Sequence, residues 1–132
     1  MSGRPVPESI AAGPELEPLA VELERTVDRL RGRSLSRLAR PWDPGQPAGP
    51  SAAQAGAVLA QELADAAAEV EGGSVRALPT VEPHVVPDLL AVCGHDLLIA
   101  LAAVAQREES STVAAEVTAS AIAGLRRFRS VL

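Results

Sequence analysis

Residues 87–107, PDLLAVCGHDLLIALAAVAQR, decide the fold. Leu89, Leu90, Val92, Cys93, Leu97, Leu98, Ile99, Leu101 and Val104 cover most of the circumference of a helix wound at 3.6 residues per turn. Pro87 suits the first helical position, where a missing N–H costs nothing, and Asp88 suits the positive end of the dipole. A helix apolar nearly all round is buried centrally or covered by a partner. Its most apolar run, Leu97 to Ala105, is nine residues long and flanked by Asp96 and Arg107. A bilayer needs about 20 apolar residues, so no membrane association is expected.

Working back from that helix, Ser74 to Val86 carries Pro79 and Pro83, with Val75, Leu78 and Val81 spaced for an extended connector over the core. Before it, Ser51 stands three residues ahead of Gln54, the spacing of a capping box. The apolar stripe Ala55, Val58, Leu59, Leu63, Ala66 and Val70 follows, and Gly72 and Gly73 offer a left-handed stop. Residues 41–50, PWDPGQPAGP, hold four prolines and two glycines, which oppose helix and strand alike. Ser34 can cap a short turn carrying Leu35 and Leu38, which Pro41 stops.

Further upstream, Leu16, Leu19, Ala20, Leu23, Val27 and Leu30 recur at helical spacing, with Glu17, Glu22, Glu24, Asp28 and Arg29 assigned to the other face. Pro18 is placed in the first turn and Gly32 at the end. Residues 1–13, with Pro5, Pro7 and Gly13, are expected to be a disordered lead. Downstream, the EESS turn at 108–111 leads into a helix with Val113, Val117, Ala121, Gly124 and Phe128 on one face and Arg126, Arg127 and Arg129 in its last turns. The expectation is an all-α single domain over 14–132, a four-helix bundle with an extra short helical turn and Pro-rich connections.

Composition agrees. Of 132 residues 47% are apolar but only 2% aromatic, so alanine and leucine, both strong helix formers, must supply the core. Every basic residue is arginine, and with the abundant alanine this points to a GC-rich bacterial genome. The net charge of −5 opposes general affinity for phosphate backbones, so nucleic acid is not an expected partner. The lone Cys93 excludes an intramolecular disulfide, and residues 1–13 lack the apolar run of a signal peptide. A cytoplasmic location is expected.

Two clusters are candidates for function. The run EPHVVPDLLAVCGHD gathers His84, Asp88, Cys93, His95 and Asp96 with Glu82. At about 100° per residue Cys93 and His95 point roughly 200° apart, so they cannot chelate one ion together, whereas Asp88 and His95 share a face. A buried structural thiol, a helix-start carboxylate and a histidine beside the core explain the same residues, and no metal or cofactor is expected. The second cluster is basic: Arg29, Arg33, Arg37 and Arg40, with Arg25, Arg31 and the sole tryptophan, Trp42, offer a local positive surface for a partner. Of the two readings of Trp42, a plug that closes one end of the bundle is favoured over an exposed anchor.

The run RLRGRSLSRLARPWDPG at 29–45, a helix leading to a tryptophan and a new helix, resembles the opening of the DinB-like and mycothiol-dependent maleylpyruvate isomerase four-helix proteins, as does GHDLLIAL at 94–101. The resemblance implies a four-helix architecture. Those families bind a divalent metal through histidines on the second and third helices; here the second helix has none, and His95 alone matches a ligand position. The functional expectation is a non-enzymatic helical interaction module that self-associates or binds a partner helix. The alternative is a small metal- or thiol-dependent enzyme of DinB-like architecture.

Overall fold

A computed structural model describes residues 6–107 and 111–132, with side chains of the first helix described from Leu16 onward. Five α-helices follow one another: α1 Val6–Arg31, α2 Leu35–Leu38, α3 Ala52–Glu71, α4 Val86–Gln106 and α5 Thr112–Val131, with a 3-10 turn at Pro83–Val85 before α4. Among the described residues there is no strand, and the four long helices form the bundle with α2 as its extra turn. α4 packs against α3 on one side and α1 on the other, and α5 closes the bundle between those same two helices.

Local chemistry sets the ends. Ser51 Oγ accepts from Gln54 N at 3.1 Å while Gln54 Oε1 accepts from Ser51 N at 2.8 Å, a closed capping box. α3 stops at Gly72, whose φ of 75° lies in the left-handed region that glycine enters without a Cβ penalty. Ser34 and Ser111 cap α2 and α5 through Arg37 N and Ala114 N. The proline-rich loop is ordered by its own backbone: Trp42 N donates to Pro50 O and Ala52 N to Arg40 O, both at 2.9 Å, so its base is closed.

Helix directions follow from the surroundings of Gly56, which lies beside Val86, Phe128 and Leu30. The starts of α3 and α4 and the ends of α1 and α5 therefore share one end of the bundle. Because α3 and α4 run the same way, the chain leaving α3 must return along its length, about 30 Å for 20 residues. An extended segment of ten residues covers about 33 Å. Gln61 pins it to α3, with Nε2 donating to Arg76 O and Oε1 accepting from Leu78 N, each at 2.8 Å.

Several sequence expectations are corrected. α1 is helical from Val6, within the stretch 1–13 expected to be disordered; residues 1–5 lie outside the described residues, as do 108–110 of the expected EESS turn. Pro18 stands well inside α1 rather than in its first turn; its missing N–H leaves the Pro14 carbonyl without its i+4 donor. Val58, assigned to the apolar stripe of α3, is exposed, while Leu125, missing from the α5 face, is fully buried. Glu22, assigned to the polar face of α1, is buried together with Thr26, because α1 is covered by both α4 and α5 and its buried face is wider than one stripe. The nine-residue limit on the apolar run is also too narrow. Pro83–Gln106 is 24 residues, long and apolar enough by length and composition to cross a membrane, the one such helix among the described residues, and 39% of its most apolar window is buried in the bundle.

The core is a leucine and alanine core, with Leu30, Leu90, Leu97 and Leu125 wholly enclosed. α1 and α4 meet at Gly94, where a Cβ would stand 2.4 Å from both δ-methyls of Leu23 and 2.9 Å from its Cγ. Overpacking of this kind costs about 1–3 kcal/mol, against about 1 kcal/mol gained by replacing a mid-helix glycine with alanine. Gly94→Ala is therefore expected to lower the urea midpoint, and in a Leu23→Ala background the same change is expected to raise it.

Candidate functional site

The polar run before and within α4 does not assemble into one centre. His84 lies exposed on the 3-10 turn. Asp88, exposed in the first turn of α4, accepts from Arg31 Nη2 at 2.7 Å, tying the start of α4 to the end of α1. His95 is exposed in a shallow groove of about 380 Å³ between α1 and α4, beside Asp28, Arg31 and Leu98. Asp96 is exposed and Cys93 is buried among the core leucines. The opposed directions expected of Cys93 and His95 are thus realised as inside and outside. Among the described residues no three His, Cys, Asp or Glu side chains stand together to hold a metal ion.

Cys93 is poorly placed as a nucleophile. Burial pushes its thiol above its ordinary value of 9.0, and the carboxylate of Asp96 pushes it the same way. The reactive form is the thiolate, so at neutral pH the group is a packed thiol.

The arginine cluster divides into tied and free members. Arg31 is engaged by Asp88, and Arg33 Nη2 donates to Leu132 O at 2.6 Å, holding the end of α1 to the end of α5. Arg29, Arg37 and Arg40 are exposed. Trp42 is half-buried: its indole Nε1 donates to Phe128 O at 3.1 Å, and the two rings lie 5.8 Å apart at 31°. Its indole N–H is thus engaged within the molecule, at the end of the bundle where α5 finishes.

The most concentrated electrostatics lie where the sequence reading placed a solvent face. Glu22, 5% exposed, receives Arg126 Nε on Oε2 at 3.0 Å, and Arg129 Nη1 lies 2.5 Å from Oε1. The second contact is a close ion pair, and Arg129 Nη1 also donates to Glu22 O at 3.5 Å. Burial would raise the Glu22 pKa, but the two guanidinium groups together outweigh it and hold the carboxyl below its ordinary value of 4.5. Two features of the sequence mark this triad: Glu22 sits at helical spacing between Leu19 and Thr26, and Arg126 and Arg129 are three apart on one face of α5. It joins α1 to α5, so its role is structural.

The hollows carry a second message. A groove of about 640 Å³ between α3 and the connector is walled by Ala57, Val58, Leu78, Pro79, Val81 and Leu89, with Ser51, Gln54, Gln61 and Thr80 as its polar side chains. Among the described residues no acid, base or thiol lines it. A second groove of the same size, between α3 and α5, holds Glu62, Asp65 and Glu69 above an apolar floor. Ser120 shares the second groove with these carboxylates, but among the described residues its hydroxyl makes no hydrogen bond to any of them.

Removing the Glu22 charge leaves two arginines without their counter-ion, and Glu22→Gln is expected to cost about 1–3 kcal/mol in denaturant unfolding at neutral pH. In the wild type the folded carboxyl binds its proton at lower pH than the unfolded one, so its contribution is complete above about pH 4.5 and is lost as the pH falls through the folded value. Glu22→Gln should flatten that acid limb of the stability profile. Iodoacetamide should label Cys93 slowly in the native protein and rapidly in denaturant, measured by mass spectrometry. Comparison with protein-family models, with curated proteins and with solved structures finds no match to this chain.

Proposed function

We propose that the protein is a non-enzymatic helical interaction module that pairs with a second copy of itself through the outer face of α4. The observation that carries this reading is the exposure of Val92 and Ile99, 58% and 65%, one above the other at a spacing of seven on the most apolar helix of the bundle. The bundle supplies α4 with two neighbours and leaves this stripe, with Asp96 beside it, facing solvent. Among the described residues, the absence of acid, base or thiol from the groove between α3 and the connector, and the dispersal of His84, Asp88, Cys93 and His95, favour binding over catalysis.

The energetics indicate a weak pair. Two copies would enclose four β-branched side chains, each contributing roughly 1.5–3 kcal/mol when fully buried. Association costs about 4–15 kcal/mol in lost freedom. The two are of the same order, so pairing should depend on concentration and hardly on salt. The same reading keeps α4 in the bundle and out of a bilayer, since Asp88, His95 and Asp96 stand exposed along it, and it treats the buried, unpaired Cys93 as suited to the cytoplasm.

Sedimentation velocity tests it. At several hundred millimolar salt the wild type should shift from monomer toward dimer as its concentration rises through the micromolar range, and Val92→Ser/Ile99→Ser should remain a monomer with unchanged helical circular dichroism. A wild type that stays monomeric throughout, or a variant that dimerises as well as the wild type, overturns the reading.

A further inference from the structure

We infer that the groove between α3 and α5 receives the arginine-bearing edge around α2 of another copy of this chain. The groove has a volume of about 640 Å³, and its floor is apolar, from Leu63, Ala66, Val117 and Ala121. Its charged side chains are all acids, Glu62, Asp65 and Glu69, on one side of α3. Asp65 accepts from Gln61 Nε2 at 2.8 Å, whereas Glu62 and Glu69 are exposed and among the described residues have no ion-pair partner. Val75, 61% exposed, stands at its margin. Carboxylates beside an open apolar floor match a segment that brings an apolar side chain together with cations.

The chain itself carries such a segment. α2 is only four residues long and buries Leu38, leaving Leu35 62% exposed. Arg37 and Arg40 follow Leu35 along the chain and Arg29 precedes it in the last turns of α1; all three are exposed and among the described residues have no ion-pair partner. No residue of α2 or of this edge lines the groove, so one molecule leaves both surfaces unsatisfied. Joined between copies, the acids meet the arginines and Leu35 meets the apolar floor.

Such a contact uses two different surfaces and is heterologous, so it extends from copy to copy in place of closing on itself. It is independent of the α4 pairing and differs from it in kind. Opposed exposed charges are screened over about 10 Å at 0.1 M salt, so this contact weakens as salt is added, whereas the α4 stripe is apolar.

The test uses the full chain in a Val92→Ser/Ile99→Ser background, which removes the α4 pairing. One variant adds Glu62→Arg/Glu69→Arg and keeps its arginine edge; the other adds Leu35→Ser/Arg37→Ser/Arg40→Ser, which neutralises the edge, and keeps its groove. Circular dichroism verifies that both fold. At low salt the parent should form concentration-dependent oligomers, each variant alone should be monomeric, and an equimolar mixture should form a heterodimer. Adding salt to several hundred millimolar should weaken that heterodimer roughly tenfold or more. A monomeric parent at low salt, a mixture that does not associate, or oligomers that persist in either variant alone overturn the inference. Failure of the α4 reading shows separately, as a dimer in the Val92→Ser/Ile99→Ser protein that salt does not dissolve.

Discussion

The structure depends on closing a core with almost no aromatic volume. Two aromatic side chains, Phe128 in the core and Trp42 at its edge, serve 132 residues, and the remaining volume comes from leucine, alanine and valine. Small side chains reach native packing density only if helix axes come close, because the gap between two helices must be no wider than the side chains that fill it. Gly94 meets that condition between α1 and α4, where Leu23 occupies the space a Cβ would take. Gly56 does the same at the end of the bundle, with Val86 Cγ1 only 2.9 Å from a Cβ position. The two glycines weaken their helices by about 1 kcal/mol each, and the contacts they admit compensate.

The connections follow from that packing. With α1 and α3 on either side of α4, and α3 parallel to α4, the chain must travel the length of the bundle outside it. A helix rising 1.5 Å per residue would need about 20 residues for that distance, whereas an extended chain needs about ten. Pro79 therefore belongs in the extended segment and Pro83 opens the 3-10 turn that ends it, and the segment's missing ladder bonds are partly replaced by the side-chain amide of Gln61. The same arrangement leaves a groove between connector and α3, walled by apolar side chains and amides.

Ends were more legible in the sequence than faces. Ser51 with Gln54, Gly72 after α3, and Ser34 before Leu35 act through one or two backbone bonds within a few residues, so their chemistry is local and readable. Burial is set by what arrives from elsewhere in the chain. Glu22 reads as a solvent residue because the residues that accept its charge are 104 and 107 positions away, and Val58 reads as core although no helix comes to cover it. The polar run at 82–96 was legible as a set of residue types, and helix geometry correctly separated Cys93 from His95. That Asp88 would be engaged by Arg31, a residue counted with the basic cluster, depended on how α1 and α4 cross.

Charge placement, more than net charge, bears on what the surface does. At −5 the molecule repels its copies at long range, but its ionised groups are sorted: acids without counter-ions among the described residues gather along α3, and arginines likewise unpaired gather where α1 gives way to α2. Where opposite charges already meet within the chain, as in Glu22 with Arg126 and Arg129 or Asp88 with Arg31, they fasten one helix to another and leave nothing for a partner. The charges left over lie beside exposed apolar side chains, Leu35 at one surface and Val75 at the other. A charge in open water is well solvated and gains little from a partner, but next to apolar surface that is removed from water on contact it acts in a lower dielectric and gains more. Segregated charge beside exposed apolar surface is thus where a contact between outer faces, if formed, would gain most from its charges.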